Sequence, residues 1–86
     1  MKLKLWDHIE IDWIDSIQSM RGWCERNEFP WNDHYKALYQ RTTGYFTNQT
    51  KEAISVCQSY AQDNYGQCVG MMSIPLGCIK KIRRIK

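Results

Sequence analysis

The sequence predicts an α+β fold: three helices packed on a small antiparallel sheet made by an N-terminal strand and a C-terminal hairpin. Three observations predict it. Apolar residues recur at helical spacing from Ile9 to Cys24, and capping residues and glycine stops frame two further helical stretches. Residues 67–86 then change to a Gly- and Pro-punctuated pattern that suits strands. At 86 residues the chain fits one compact domain, 1–86, because two cores would leave each half too small to fold.

The opening LKLWDHIEIDW carries two signals. Leu3, Leu5, Ile9, Ile11 and Trp13 fall on alternate positions with charges between them, which is a strand period. Asp7 and Glu10 read as a capping box, with Trp6 and Ile11 as its hydrophobic staple. The expectation is a short strand over 2–6 and a helix starting at Asp7 or at Asp12. Ile9, Trp13, Ile17, Met20 and Cys24 form its stripe, widened by Ile14. Asn27 and Pro30 end it.

Asn32 or Asp33 caps the second predicted helix, which carries Tyr35, Leu38 and Tyr39 to about Thr43 before Gly44 stops it. Thr47 or Asn48 caps the third. Its stripe is Ala53, Ile54, Cys57, Tyr60 and Ala61, running to about Asn64, with Gly66 as the stop. Beyond it, Ile74-Pro75-Leu76-Gly77 suits a type I turn joining strands at 67–74 and 78–84. A terminal helix is the rival, since Ile79, Ile82 and Ile85 recur every third residue, which a strand would split between faces.

An apolar fraction of 43% with 24% charged residues is that of a globular chain rather than a disordered one. No apolar run reaches membrane-span length and no signal peptide is recognisable, so a cytoplasmic location is expected. Charge is uneven. Residues 1–33 hold four cations against seven acids, whereas residues 67–86 hold Lys80, Lys81, Arg83, Arg84 and Lys86 and no acid. Such a basic end either balances the acidic beginning or meets phosphate.

No motif selects a reaction. Cys24, Cys57, Cys68 and Cys78 lack the close pairing of zinc sites, and His8 and His34 share no spacing with them, so no metal or cofactor is expected and the thiols read as free. In the cluster Asp7, His8, Glu10, Asp12 and Asp15, the acids at the helix start read as dipole-stabilised and the rest as a solvated face rather than a cation or catalytic site. The aromatics are more telling. Trp23, Trp31, Tyr35, Tyr39, Tyr45 and Phe46 together exceed what three short helices can bury. Trp31, Tyr45 and Phe46 are expected at the surface, and exposed rings anchor protein interfaces or stack bases.

The sequence therefore points to a small, stand-alone, non-enzymatic binding protein, an adaptor or inhibitor of a host or cognate protein. By analogy of size and composition alone, phage- or mobile-element-encoded inhibitors of host enzymes have this character. Its partner-binding residues are expected to be Trp31, Tyr35, Tyr45, Phe46, Lys80, Lys81, Arg83 and Arg84. The alternative is a nucleic-acid-binding module using Lys80, Lys81, Arg83, Arg84 and Lys86. A third reading is a small enzyme or metal protein built on His34, the cysteines or the first acids.

Overall fold

The computed structural model describes residues 2–15, 25, 39–62 and 66–86. In these the chain is built of strands, and the predicted α+β architecture of three helices on a small sheet is corrected to a mainly β one. The strands are β1 (His8–Ile14), β2 (Tyr39–Gln49), β3 (Ala53–Cys57), β4 (Ser59–Tyr60), β5 (Cys68–Val69), β6 (Met72–Pro75) and β7 (Ile79–Arg84). A 3₁₀ turn over Leu76–Cys78 joins the last two. The five-stranded antiparallel sheet has the order β6-β3-β2-β1-β7, and β4 pairs with β5 beside it.

The helical stripe fails for a definite reason. Ile9 and Trp13 are four apart, a spacing that both a helix and a strand place on one face. The residue between them decides. Ile11 is as fully buried as Ile9, so the alternate-residue period is the true one. Ile17, Met20 and Cys24, from the same predicted helix, lie outside the described residues, as do Trp31, Tyr35 and most of the second helix. Thr42 and Thr43, read as the end of that helix, belong to β2. In the third predicted helix the spacing passes over Val56, which is buried beside Ile54 at strand spacing. Residues 2–6 hold a turn instead of a strand.

The C-terminal hairpin is also corrected. β6 pairs with β3 and β7 with β1, so the two strands lie on opposite edges of the sheet. Pro75 has ψ 136°, extended rather than type I, and the chain turns one residue later as the 3₁₀ segment. Ile79 and Ile82 nevertheless share the core face, because the β1–β7 register slips between Asp12 and Trp13. The extra residue on β7 is Lys80, and a bulge of this kind turns a three-residue spacing into a same-face one.

This connectivity forces the sheet to fold over. β2 pairs with β1 over Tyr39–Tyr45 and with β3 over Tyr45–Gln49. In a flat sheet the end of β6 and the start of β7 would be separated by about ten residues of β2, roughly 33 Å. The four-residue step from Pro75 to Ile79 spans at most about 14 Å. β2 therefore bends, with a bulge at Thr47 and Gly44 at the closest approach. A Cβ on Gly44 would sit 3.0 Å from both the Val56 Cβ and the Cys57 carbonyl oxygen. The two half-sheets enclose Ile9, Ile11, Phe46, Ile54, Val56 and Ile74, flanked by Leu3, Trp13, Leu76, Ile79 and Ile82. At roughly 1.5–3 kcal/mol per buried aliphatic or aromatic side chain, this cluster is the main source of stability.

Candidate functional site

The outer face of β2, β1 and β7 is a charged strip. β1 supplies Glu10 and Asp12, and the strands beside it supply three cations: Arg83 flanks Glu10, opposite Thr43 on its other side, and Arg41 and Lys81 flank Asp12. Arg41 grips Asp12 with two nitrogens, Nε at 2.7 Å and Nη2 at 3.3 Å. From the other side Arg83 donates from Nε to Glu10 at 3.0 Å and from Nη2 to Asp12 at 2.6 Å. The Arg41 hydrogen bond, reinforced by the charges of Arg41 and Arg83, holds the Asp12 carboxyl below its ordinary value against a smaller opposing effect of desolvation. Arg84 bonds Asp7 at 3.2 Å and the Lys2 carbonyl. The acidic beginning and the basic end of the chain thus meet side by side.

At one end of this strip lies an aromatic corner. Lys4 to Asp7 form a turn closed by the Asp7 amide donating to the Lys4 carbonyl at 2.9 Å. Its third residue, Trp6, has φ +70°, a conformation costly for a bulky side chain. Local bonds hold it there: the Lys4 amide donates to Asp7 Oδ2 at 2.8 Å, and the Trp6 amide and Asp7 carbonyl both bond Phe46 at 2.8 Å. The Lys4 bond is also the largest influence lowering the Asp7 carboxyl below its ordinary value. Asp7, read as a helix cap, caps this turn instead.

The turn places the Trp6 ring on Tyr60, parallel within 5° at a centroid distance of 4.2 Å. Tyr60 meets Tyr45 edge-on at 5.0 Å, and Tyr45 stacks on His8 at 4.8 Å. Each such contact contributes about 0.5–1.5 kcal/mol beyond burial. The four rings come from the opening turn, β1, β2 and β4, and all are half-buried. Leu5, next to Trp6, and Val69, opposite Ser59, are 58% and 64% exposed. A shallow cleft of about 380 Å³ beside the corner is lined by Ser59, Tyr60, Ala61, Gln67, Cys68 and Val69.

Of the binding residues expected from sequence, Tyr45 lies in this array. Phe46 does not: it is 8% exposed and belongs to the core, which corrects its expected exposure. Alternation separates the neighbours, since Tyr45 points outward where Phe46 points in. Trp31 and Tyr35 lie outside the described residues. Lys80 and Lys81 are exposed, whereas Arg83 and Arg84 are held by carboxylates. Sequence reasoning missed Trp6 and Tyr60, 54 positions apart, which no local pattern connects.

Among the described residues no helix is long and apolar enough to cross a membrane. No protein-family model, curated protein or solved structure matches the chain.

Proposed function

We propose that the chain is a non-enzymatic binding protein whose partner is another protein, engaged through the corner formed by Trp6, Tyr45 and Tyr60. The observation that carries this reading is the Trp6 turn. A positive-φ tryptophan held by backbone hydrogen bonds against a half-buried ring is a strained arrangement, and strain of this kind concentrates where a surface is pre-organised for contact. Trp, Tyr and Arg dominate the energetic centres of protein interfaces, and Arg84 is anchored to Asp7 in the same turn. Exposed Leu5 and Val69 extend the apolar part of the surface.

The charged strip supports the same choice over nucleic acid. Arg41, Arg83 and Arg84 already end on carboxylates, and phosphate would have to displace Asp7, Glu10 or Asp12 to reach them. Three of the five terminal cations, Lys80, Lys81 and Lys86, remain exposed for such contact.

The test is capture from host lysate after nuclease treatment, comparing the wild type with Trp6→Gly. Glycine accepts φ +70° without strain, so the substitution removes the ring while keeping the turn. The reading predicts one stoichiometric protein partner that survives nuclease and is lost with Trp6→Gly. A partner lost on nuclease treatment would identify a nucleic-acid-binding module instead.

A further inference from the structure

β7 is one edge of the five-stranded sheet: among the described residues it pairs with β1 alone. The ladder fixes which of its backbone groups are already bonded. The Ile85 amide donates to the His8 carbonyl at 2.8 Å, while on the other side of β1 the Asp7 carbonyl accepts from the Phe46 amide. Backbone groups alternate sides along an antiparallel strand. Ile85 and Arg83 therefore turn amide and carbonyl to β1, and Ile82 and Arg84 turn theirs to the open edge.

The side chains beside this edge carry mostly one sign. Lys80 and Lys81, at the bulge, are both exposed, and residues 67–86 contain no acid. Lys80 also lines a cleft of about 490 Å³ with Asp12, Tyr39, Gln40 and Arg41. The cleft sets two cations against one carboxylate, with the Arg41 side chain 62% exposed and Tyr39 57% exposed.

We propose that the β7 edge receives an extended segment of a partner protein as an added strand, in which acidic residues alternate with apolar ones. The alternation follows from β7 itself. Ile82 packs on the core side, whereas Lys81 and Arg83 stand opposite Asp12 and Glu10 on the charged strip. Successive residues of an added strand therefore meet cation and isoleucine in turn. Main-chain bonds supply affinity in strand addition, and alternate side chains supply specificity. Nucleic acid fits this edge less well, because phosphate can accept from the Ile82 and Arg84 amides but has no donor for their carbonyls. A second copy of the chain fits worse. Pairing β7 with itself about Ile82 would set Lys80 against Arg84 and Lys81 against Arg83, and like charges directly opposite destabilise a ladder. The proposal stands without the aromatic corner.

The experiment is an NMR titration of the full chain with a capped peptide of alternating glutamate and valine, read by affinity and by amide hydrogen exchange. Exchange at Ile82 and Arg84 is expected to slow on adding peptide, while Ile85, already bonded to His8, is unchanged. The fully N-methylated peptide keeps the carboxylates but has no backbone donor, and it does not bind. A lysine–valine peptide does not bind either. Lys80→Glu with Lys81→Glu weakens binding at least about tenfold, because two attractions become repulsions. Both side chains are exposed, and a thermal melt checks that the fold persists. Trp6→Gly binds the peptide as the wild type does, which separates this edge from the corner. No slowing at Ile82 and Arg84, binding of the N-methylated peptide, or binding unchanged by the two glutamates would each overturn the proposal. Amides already slow in the dilute free chain would mean that its own residues cover the edge, and slowing that grows with protein concentration would mean a second copy. A thymidine oligonucleotide that displaces the peptide and slows the same amides would make the edge a nucleic-acid site, and binding lost with Trp6→Gly would move the contact to the corner.

Discussion

On the β2–β1–β7 strip, Arg41, Arg83 and Arg84 each end on a carboxylate of a neighbouring segment. At the corner, Trp6, Tyr60, Tyr45 and His8 stack on one another while Leu5 and Val69 beside them stay in water. The strip's arginines are matched to its own carboxylates, with only the buried Arg83 Nη1 left unpaired among the described residues. The corner leaves apolar surface uncovered and keeps a strained backbone to do so. A region whose charges are largely paired within it serves the fold, and a region that holds strain beside exposed apolar surface is the better place to look for a partner.

The largest effect should come from the core beneath the strip. Ile11 is fully buried, opposite Thr42 and Ile82. Ile11→Ala should cost roughly 2–5 kcal/mol, a large part of a small domain's stability. Chemical denaturation measures it. An unchanged midpoint would mean that the strip does not rest on this core. Next comes Gly44→Ala, at the bend joining the two halves. Its Cβ would press on Val56 and on the Cys57 carbonyl, for about 1–3 kcal/mol of overpacking. A neutral or stabilising outcome would show that the halves have slack to separate.

Acid sharpens the contrast further. Asp12 has a carboxyl held below its ordinary 3.8, first by the Arg41 hydrogen bond. A lowered folded-state value means the contribution is present above about pH 3.8 and is lost as pH falls through the lower folded value. Asp12→Asn should therefore be less stable than wild type at neutral pH. The difference should close as pH falls below about 3.8 and through the lower folded value. Melting temperatures across that range check it. A gap that stays constant would place the effect of Asp12 in packing rather than charge.

The sequence made part of this legible. The charge asymmetry between residues 1–33 and 67–86 foretold that acids and cations would meet, and the tail is a strand as expected, though not paired in the expected hairpin. The rest was hidden by coincidences of period. Four-residue spacings such as Ile9–Trp13 fit both helix and strand, and Asp7 and Glu10 resemble a helix cap although Asp7 closes a turn. β-branched density at Ile9, Ile11, Ile54 and Val56 was the better guide. The Ile79–Ile82 spacing made sense only with a bulge at Lys80. The corner joins residues that are far apart in the chain, and only the folded sheet brings them together.

The most direct test of this division crosses two variants with two readouts: melting temperature and partner retention, for Arg83→Gln and Trp6→Gly. Arg83 bonds both Glu10 and Asp12, so its loss should lower the melting temperature, more than Lys80→Gln does, and leave partner retention intact. Trp6→Gly loses a ring stack but relieves a positive φ, so its melting temperature should move by no more than about 4–8 °C, equivalent to about 1 kcal/mol in a chain this size. Its partner should be lost. Retention abolished by Arg83→Gln and untouched by Trp6→Gly would contradict the account and move the binding surface to the charged strip.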